Sequence, residues 1–392
     1  MSQRPVVIVG ARRTPMGAFQ GVLAPVSAPA LSAAACRAAL DDAGLNGDQV
    51  SEVLLGCVLP AGLGQAPARQ ASLGAGIPKS VPCTTVNKVC GSGMKTTMLG
   101  HDLIAAGTAD IVLTGGMESM SNAPYLMPKA RSGYRMGHQE VLDHMFWDGL
   151  QNPYDGNMMG HFAEQTAQQY DFTREAQDEF AITSVTRARA AAERGAFNDE
   201  IAPVTVATRK GETVVAADEG PQAANIEKIP NLRPAFAKDG TVTAASSSSI
   251  SDGAASLVLM HASDAEARGI PALATITGHA GFAHEPAWFT TAPVSAIQAL
   301  QEKLGWAPNT VDLYEINEAF ACVTMAAMHD VGIDHARVNV NGGACALGHP
   351  IGASGARIIV TLLHALRQRG GGKGIASLCI GGGEAAAIGI EV

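Results

Sequence analysis

The sequence predicts an α/β fold built from a duplicated unit, and three observations carry that expectation. Short β-branched apolar runs alternate with alanine-rich stretches of helical length. Most of those stretches stop at a glycine. Three sequence patterns recur in the same order in the two halves of the chain. Near-continuous apolar strands between helices indicate sheets covered on both faces.

Strands are expected at residues 6–9, 53–55, 111–114, 257–260, 311–316, 338–340 and 375–380, where Val, Ile and Leu cluster. Helices are expected at 31–43, 96–106, 296–304 and 353–366. The first three end at Gly44, Gly107 and Gly305, where a left-handed cap fits. The repeat pairs residues 50–56 with 311–317. It pairs 85–87, ahead of Cys90-Gly91-Ser92-Gly93, with 338–341, ahead of Gly342-Gly343. It pairs 113–118 with 379–384. Between about 120 and 245 the chain gains Tyr, Trp, Met, Pro and charge. This stretch reads as an insertion with one long helix, 174–194, capped by Thr173 and stopped by Gly195. Residues 371–374 read as a hairpin-type connection with Lys373 in solvent.

Composition narrows the function. Of 392 residues 44 are glycine, and the net charge is -9. Charged residues make up 16% and the apolar set 47%, which excludes a disordered chain. There is no basic excess to meet the phosphates of a nucleic acid. No apolar run nears the roughly 18 residues of a membrane helix. Met1 to Pro5 leads directly into an apolar strand without the core of a secretion signal, so a cytoplasmic protein is expected. The seven cysteines form no CxxC pair, so no cysteine-based zinc site or disulfide framework is indicated.

Four glycine-rich turns carry possible chemistry. Cys90, within Val89-Cys90-Gly91-Ser92-Gly93-Met94-Lys95, lies between a strand and a helix, where unpaired amides favour a thiolate. The turn is like a nucleophile elbow with Cys for Ser; a structural buried Cys is the other reading. His349, fixed between Gly348 and Pro350 ahead of a helix, is a candidate base. Cys379 ends a strand ahead of Gly381-Gly382-Gly383, whose N–H groups can hold an oxyanion. Asn317, in Asn317-Glu318-Ala319-Phe320-Ala321, can orient a water or a carbonyl. No nucleotide-binding signature occurs: Gly10 lacks the second glycine of a dinucleotide turn, and no phosphate-loop motif is present.

Taken together, the Cys90, Asn317, His349 and Cys379 blocks resemble, in order and spacing, the signature blocks of the thiolase family, over essentially the whole chain. Within that family the sequence looks most like the acetyl-CoA C-acetyltransferases. The resemblance implies a five-layered αβαβα fold of two similar α/β halves with an inserted loop domain. Residues 1–120 and 247–271 would form the first half, 121–246 the insertion covering the site, and 272–392 the second half. It implies that Cys90 takes the acyl group, that His349 activates it, and that Cys379 exchanges a proton with the second acetyl-CoA. Asn317 would hold a water for one oxyanion hole, and the N–H groups of Cys90 and Gly381 would form the other. It implies CoA contacts at Leu150, Met158, Arg233, Phe236, Ala245, Ser248, Ile250, Ala319 and Phe320. The expected substrates are acetyl-CoA, acetoacetyl-CoA and CoA. No metal or redox cofactor is expected, and the expected assembly is a homotetramer or dimer, with contacts from about 120–148.

The chain departs from the family pattern at four places, the first being the Ser-Ser-Ser-Ile run around Ser248 and Ile250, where the family has Ser-Gly-Leu. Asn157 stands where a His is expected before Met-Gly. An Arg is missing after Asp218-Glu219, and Phe289-Thr290-Thr291-Ala292-Pro293 replaces Met-Gly-x-Gly-Pro. These bear on chain length and on the pose of CoA. The competing readings are a longer-chain 3-oxoacyl-CoA thiolase, a carrier-protein-dependent ketoacyl synthase and a non-catalytic acyl-CoA-binding protein.

Overall fold

The computed structural model describes residues 5–209 and 211–392. Residues 1–4, part of the segment on which the expectation about a secretion signal rests, lie outside the described residues. Nine strands build the main sheet: β1 (Val6–Arg13), β2 (Glu52–Gly56), β3 (Cys83–Val86), β4 (Ile111–Ser119), β5 (Ser251–His261), β6 (Ala274–Ala283), β7 (Leu313–Ile316), β8 (Lys373–Ile380) and β9 (Glu384–Glu391). Their order is β7-β8-β9-β6-β1-β5-β4-β2-β3, and the two-residue strand Gly17–Ala18 pairs with β5. The order is nearly palindromic about the β1–β6 seam. On one side β2 is parallel to β4, and β4 antiparallel to β5. On the other β7 is parallel to β8, and β8 antiparallel to β9.

Eight helices cover the sheet and the site: α1 (Ala28–Ala43), α2 (Pro67–Gly74), α3 (Ser92–Ala105), α4 (Met159–Gln169), α5 (Arg174–Glu193), α6 (Ala292–Leu304), α7 (Ala321–Val331) and α8 (Ile351–Gln368). The two-residue period of a strand sends alternate side chains to opposite faces. Val7, Val9, Val53, Leu55, Ile111 and Leu113 therefore pack outward on α1 and α2. Val6, Ile8, Leu54, Val112, Leu257 and Leu259 pack inward on Met94 and Met98 of α3 and on Ile358, Ile359 and Leu362 of α8. Leu378, Ile380, Ile388 and Ile390 meet the same helices from the other side. Tyr314, Ile316, Ile375, Ala385 and Ala387 face away, toward α6 and α7. The result is five layers: helices, half-sheet, central α3 and α8, half-sheet, helices. Every residue from 351 to 366 of α8 is buried, including a polar stripe at Ser354, Arg357, Thr361 and His364 whose side chains find hydrogen-bond partners. Gly93 permits the crossing of α3 and α8, because a Cβ there would lie 2.8 Å from the backbone N of Ala356.

The glycine stops behave as expected. Gly44, Gly107, Gly195 and Gly305 all have φ between 64° and 75°. Thr173 Oγ1 accepts from the backbone N of Ala176 and caps α5. Two expectations are corrected. Residues 338–340 form no strand: Val338 makes a single parallel bridge to Tyr314. Asn339 has φ 47° and completes the edge of β7 with its side-chain amide, exchanging two 2.8 Å hydrogen bonds with Ile316. Residues 371–374 are a helix-to-strand connection from α8 into β8, and Lys373 lies 5.2 Å over the Trp306 ring. The strands β6 and β9 went unread, because glycine and alanine fill them in place of β-branched residues.

Residues 120–250 return to the sheet through a fully buried cation. Arg13 donates to Glu200 at 2.6 Å and to both oxygens of Asp218 at 2.6 and 2.9 Å. Breaking such a buried network from one side costs about 3–5 kcal/mol. Among the described residues, no helix is long and apolar enough to cross a membrane. All seven cysteines are free thiols.

Candidate active site

The Cys90 turn is held in an unfavourable backbone shape. Val89, directly before Cys90, has φ 45°, which a β-branched residue avoids. Short-range bonds hold it: Val89 N donates to Asn87 Oδ1 at 2.9 Å, Ser92 N to Val89 O at 3.0 Å, and Ser92 Oγ to Val89 O at 2.6 Å. Gly91 is required by close approach, since a Cβ would lie 2.4 Å from Ile380 Cδ1. Lys88 forms an ion pair with Glu384 and so ties this turn to the one after β8.

Cys90, His349, Cys379 and Gly381 line one cavity of about 590 Å³. Leu150, Met158, Phe236, Ser248, Ile250, Ala319 and Phe320 line it too. Burial pushes the Cys90 thiol up to about 11, opposed by the backbone N–H dipoles of Gly381 and of Cys90 itself. Burial, with the Cys90 sulfur close by, also raises Cys379. His349 is lowered to about 3, first by burial and then by the charge of Arg357, so its imidazole is neutral at physiological pH.

The ring of His349 is oriented by a residue the sequence did not single out. Its Nδ1 lies 2.6 Å from Ser354 Oγ, and that hydroxyl donates to Pro350 O at 2.9 Å. With the hydroxyl's one proton on Pro350 O, Nδ1 would carry the ring proton and Nε2 its lone pair. The serine run positions both motif loops: Ser248 N donates to Ala319 O at 2.9 Å, and His349 N to Ser249 O at 3.1 Å. Glu118 braces the start of α8 from beneath, accepting from the backbone N of Val58, Leu59 and Gly352 at 2.9–3.1 Å. Glu318 does the same behind Asn317, accepting from Ser184, Asn339 and the backbone N of Cys345.

Three expected contacts lie off the cavity wall. Asn317 is fully buried, with its Nδ2 3.5 Å from both ring nitrogens of His349. Ala245 is half-buried while its neighbour Ala244 lines the wall. Arg233 is exposed, and no Lys or Arg is among the lining residues. The departure assigned to Asn157 shifts by one position. Met158 lines the cavity ahead of Met159 and Gly160, so Met158 occupies the place of the expected His. Sequence reading also missed Phe19, Met120, Phe146, Met159 and Ile351, apolar wall residues without a chemical signature, while Phe289, in the segment that departs from the family pattern, lines the cavity as well.

Comparison with known proteins agrees with this geometry. Residues 6–263 match the model of the thiolase N-terminal domain, and 270–392 match that of the thiolase C-terminal domain. The chain belongs to the thiolase family. An acetyl-CoA acetyltransferase of Pseudomonas aeruginosa is 51% identical over 385 residues, 98% of each chain. One from Cupriavidus necator is 50% identical over 388 residues, covering 98% of this chain and 99% of that one. Acetyl-CoA acetyltransferase 2 of Arabidopsis thaliana is 49% identical over 395 residues, covering 100% and 98%. The five layers described above are the thiolase fold, and this thiolase is an acyltransferase.

Proposed function

We propose that this thiolase is an acetyl-CoA C-acetyltransferase, condensing two acetyl-CoA to acetoacetyl-CoA and CoA, reversibly and by a ping-pong route. One observation carries the assignment of roles: Cys90 shares its cavity with the neutral imidazole of His349, the second thiol Cys379 and the backbone of Gly381.

In the first half-reaction His349 takes the Cys90 proton, and the sulfur attacks the acetyl carbonyl. CoA leaves as its thiol with that proton, and acetyl-Cys90 remains. In the second, His349 takes the Cys379 proton, the Cys379 thiolate removes a proton from the methyl of another acetyl-CoA, and the proton held on His349 is the one later returned to the Cys90 thiolate. The resulting enolate attacks the acetyl carbon, the C–C bond forms, and the Cys90 thiolate leaves to be reprotonated. The N–H groups of Cys90 and Gly381 face the oxyanion of the acylated cysteine. Asn317, through a water, and His349 face the enolate oxygen. Side chains and amides supply all the groups these steps need, so no metal or redox cofactor takes part.

The wall from 121–246 covers the acyl chain and pantetheine, with Phe236 set edge to face on Phe320 at 5.9 Å. A cytoplasmic homo-oligomer fits the surface: Tyr125, Met127, Tyr134, Met136, Trp147 and Tyr154 are all exposed on one stretch of chain. Light scattering of the purified protein should give a dimer or tetramer mass.

The deciding experiment is mass spectrometry of the intact protein mixed with acetyl-CoA. One acetyl adduct on Cys90 is expected, and none in Cys90→Ala, whose turnover should vanish. Rates on acetoacetyl-CoA should exceed those on 3-oxohexadecanoyl-CoA; a strong preference for the long substrate would replace this reading with the degradative one.

A further inference from the structure

A second cluster of ligating groups lies where the central helix layer meets the second half-sheet. His101 and Asp102 sit on α3, roughly 13 Å along the helix from Ser92. His279 comes from the middle of β6, 177 residues from Asp102. Both rings aim at one oxygen: His101 Nδ1 is 3.1 Å from Asp102 Oδ1, and His279 Nε2 is 2.9 Å from it. The rings meet edge to face with centroids 5.2 Å apart. The three ligating atoms lie within 4.8 Å of one another. Zinc bonds imidazole and carboxylate at about 2.0–2.2 Å in a tetrahedron, which separates neighbouring ligand atoms by roughly 3.3 Å.

We propose that His101, Asp102 and His279 form a binding site for one divalent cation of the zinc type, with a water in the fourth position. The surroundings suit that chemistry. The rings are 14% and 15% exposed and the carboxylate 53%, so the site is fixed on the protein side and open to solvent on the other. The Lys303 amine donates to the His279 carbonyl oxygen at 3.1 Å. The expectation of no zinc site rested on cysteine spacing. Here the ligands are imidazoles that only the fold brings together. A bound ion would tie α3 to β6, and so the layer carrying Cys90 to the second half-sheet.

The test is titration of the full-length protein with cobalt(II), a spectroscopic substitute for zinc. Because Cys90 and Cys379 also bind soft metals, the spectrum separates the two sites. Tight binding of one ion per chain is expected, with visible absorption and without the near-ultraviolet band of a thiolate ligand. His279→Ala and His101→Ala should each weaken binding by at least about a hundredfold. Both variants should keep wild-type thiolysis rates in metal-free buffer, which shows that they fold. Unchanged affinity in either variant, a thiolate band as the only signal, or no binding at millimolar cobalt would overturn the proposal.

Discussion

The strands β4 and β8 occupy equivalent places in the two half-sheets, yet they are joined to their antiparallel partners very differently. β8 turns into β9 through residues 381–383, with Ile380 paired to Glu384 and with Gly382 and Gly383 at φ 94° and 90°. β4 reaches β5 only after residues 120–250, although Asp252 still pairs with Ser119. The tight version ends its ladder at Ile380 and brings Cys379 and Gly381 to the cavity that holds Cys90. The expanded version keeps its glycines inside the sheet: Gly115 and Gly116 are paired on both sides, and a Cβ on Gly116 would lie 2.0 Å from Gly352 O. Its long connection supplies the cavity wall instead, at Met120, Phe146, Leu150, Met158 and Phe236. One duplicated unit thus gives reactive groups from its short turn and enclosure from its long one.

That contrast can be broken. The largest effect is expected at the tight turn. Cys379→Ala should lower kcat by at least about 10³-fold, near the upper range for a lost proton-transfer group, while acetyl-Cys90 still forms. Equal loss of the half-reaction would remove the division of labour between the two thiols. Next come the two glutamates that end the equivalent patterns. Glu118 is buried under three backbone N–H groups, so Glu118→Ala should cost about 2–3 kcal/mol in urea unfolding. Glu384 is a partly exposed partner of Lys88, and Glu384→Ala should cost less than about 1 kcal/mol. Comparable costs would mean that both ends are structural. At the wall, Phe236→Ala should raise KM for acetoacetyl-CoA by about tenfold with kcat little changed, the mark of uniform binding.

The smallest effect is a pH slope. Burial raises the Glu118 carboxyl from 4.5 to about 7. Between those values the folded chain holds a proton that the unfolded chain has lost. The contribution is full below pH 4.5 and fades as pH rises through 7. The stability gap between wild type and Glu118→Ala should therefore narrow over that range, and a gap that widens would reverse the sign.

Legibility in the sequence followed residue chemistry. Strands with unbroken apolar runs, such as Val6–Val9 in β1 and Leu257–Met260 in β5, were readable, whereas β9, with Ala385-Ala386-Ala387, was not. Its register comes from β8 and β6, not from its own preference. The residues at the centre of the cavity stood out because Cys and His between glycines are chemically marked. The wall did not, because Met159 and Phe146 look like any core residue. Ser354 lay in plain view within the His349 block, but its role depends on which oxygen accepts its proton. His279 carried no signal until β6 brought it to α3.

The seam at the centre of the sheet has a consequence for how the protein is made. β1 lies between β5 and β6, with Val7 paired to Met260 on one side and Thr275 on the other. Of the strands in this sheet β1 leaves the ribosome first, and it is without either sheet neighbour until some 250 residues later. At about 5–20 residues per second that is a wait of roughly 12–50 s, with an apolar strand edge uncovered throughout. Closure of the sheet around β1 is therefore a late event in synthesis, set by the arrival of β5 and β6.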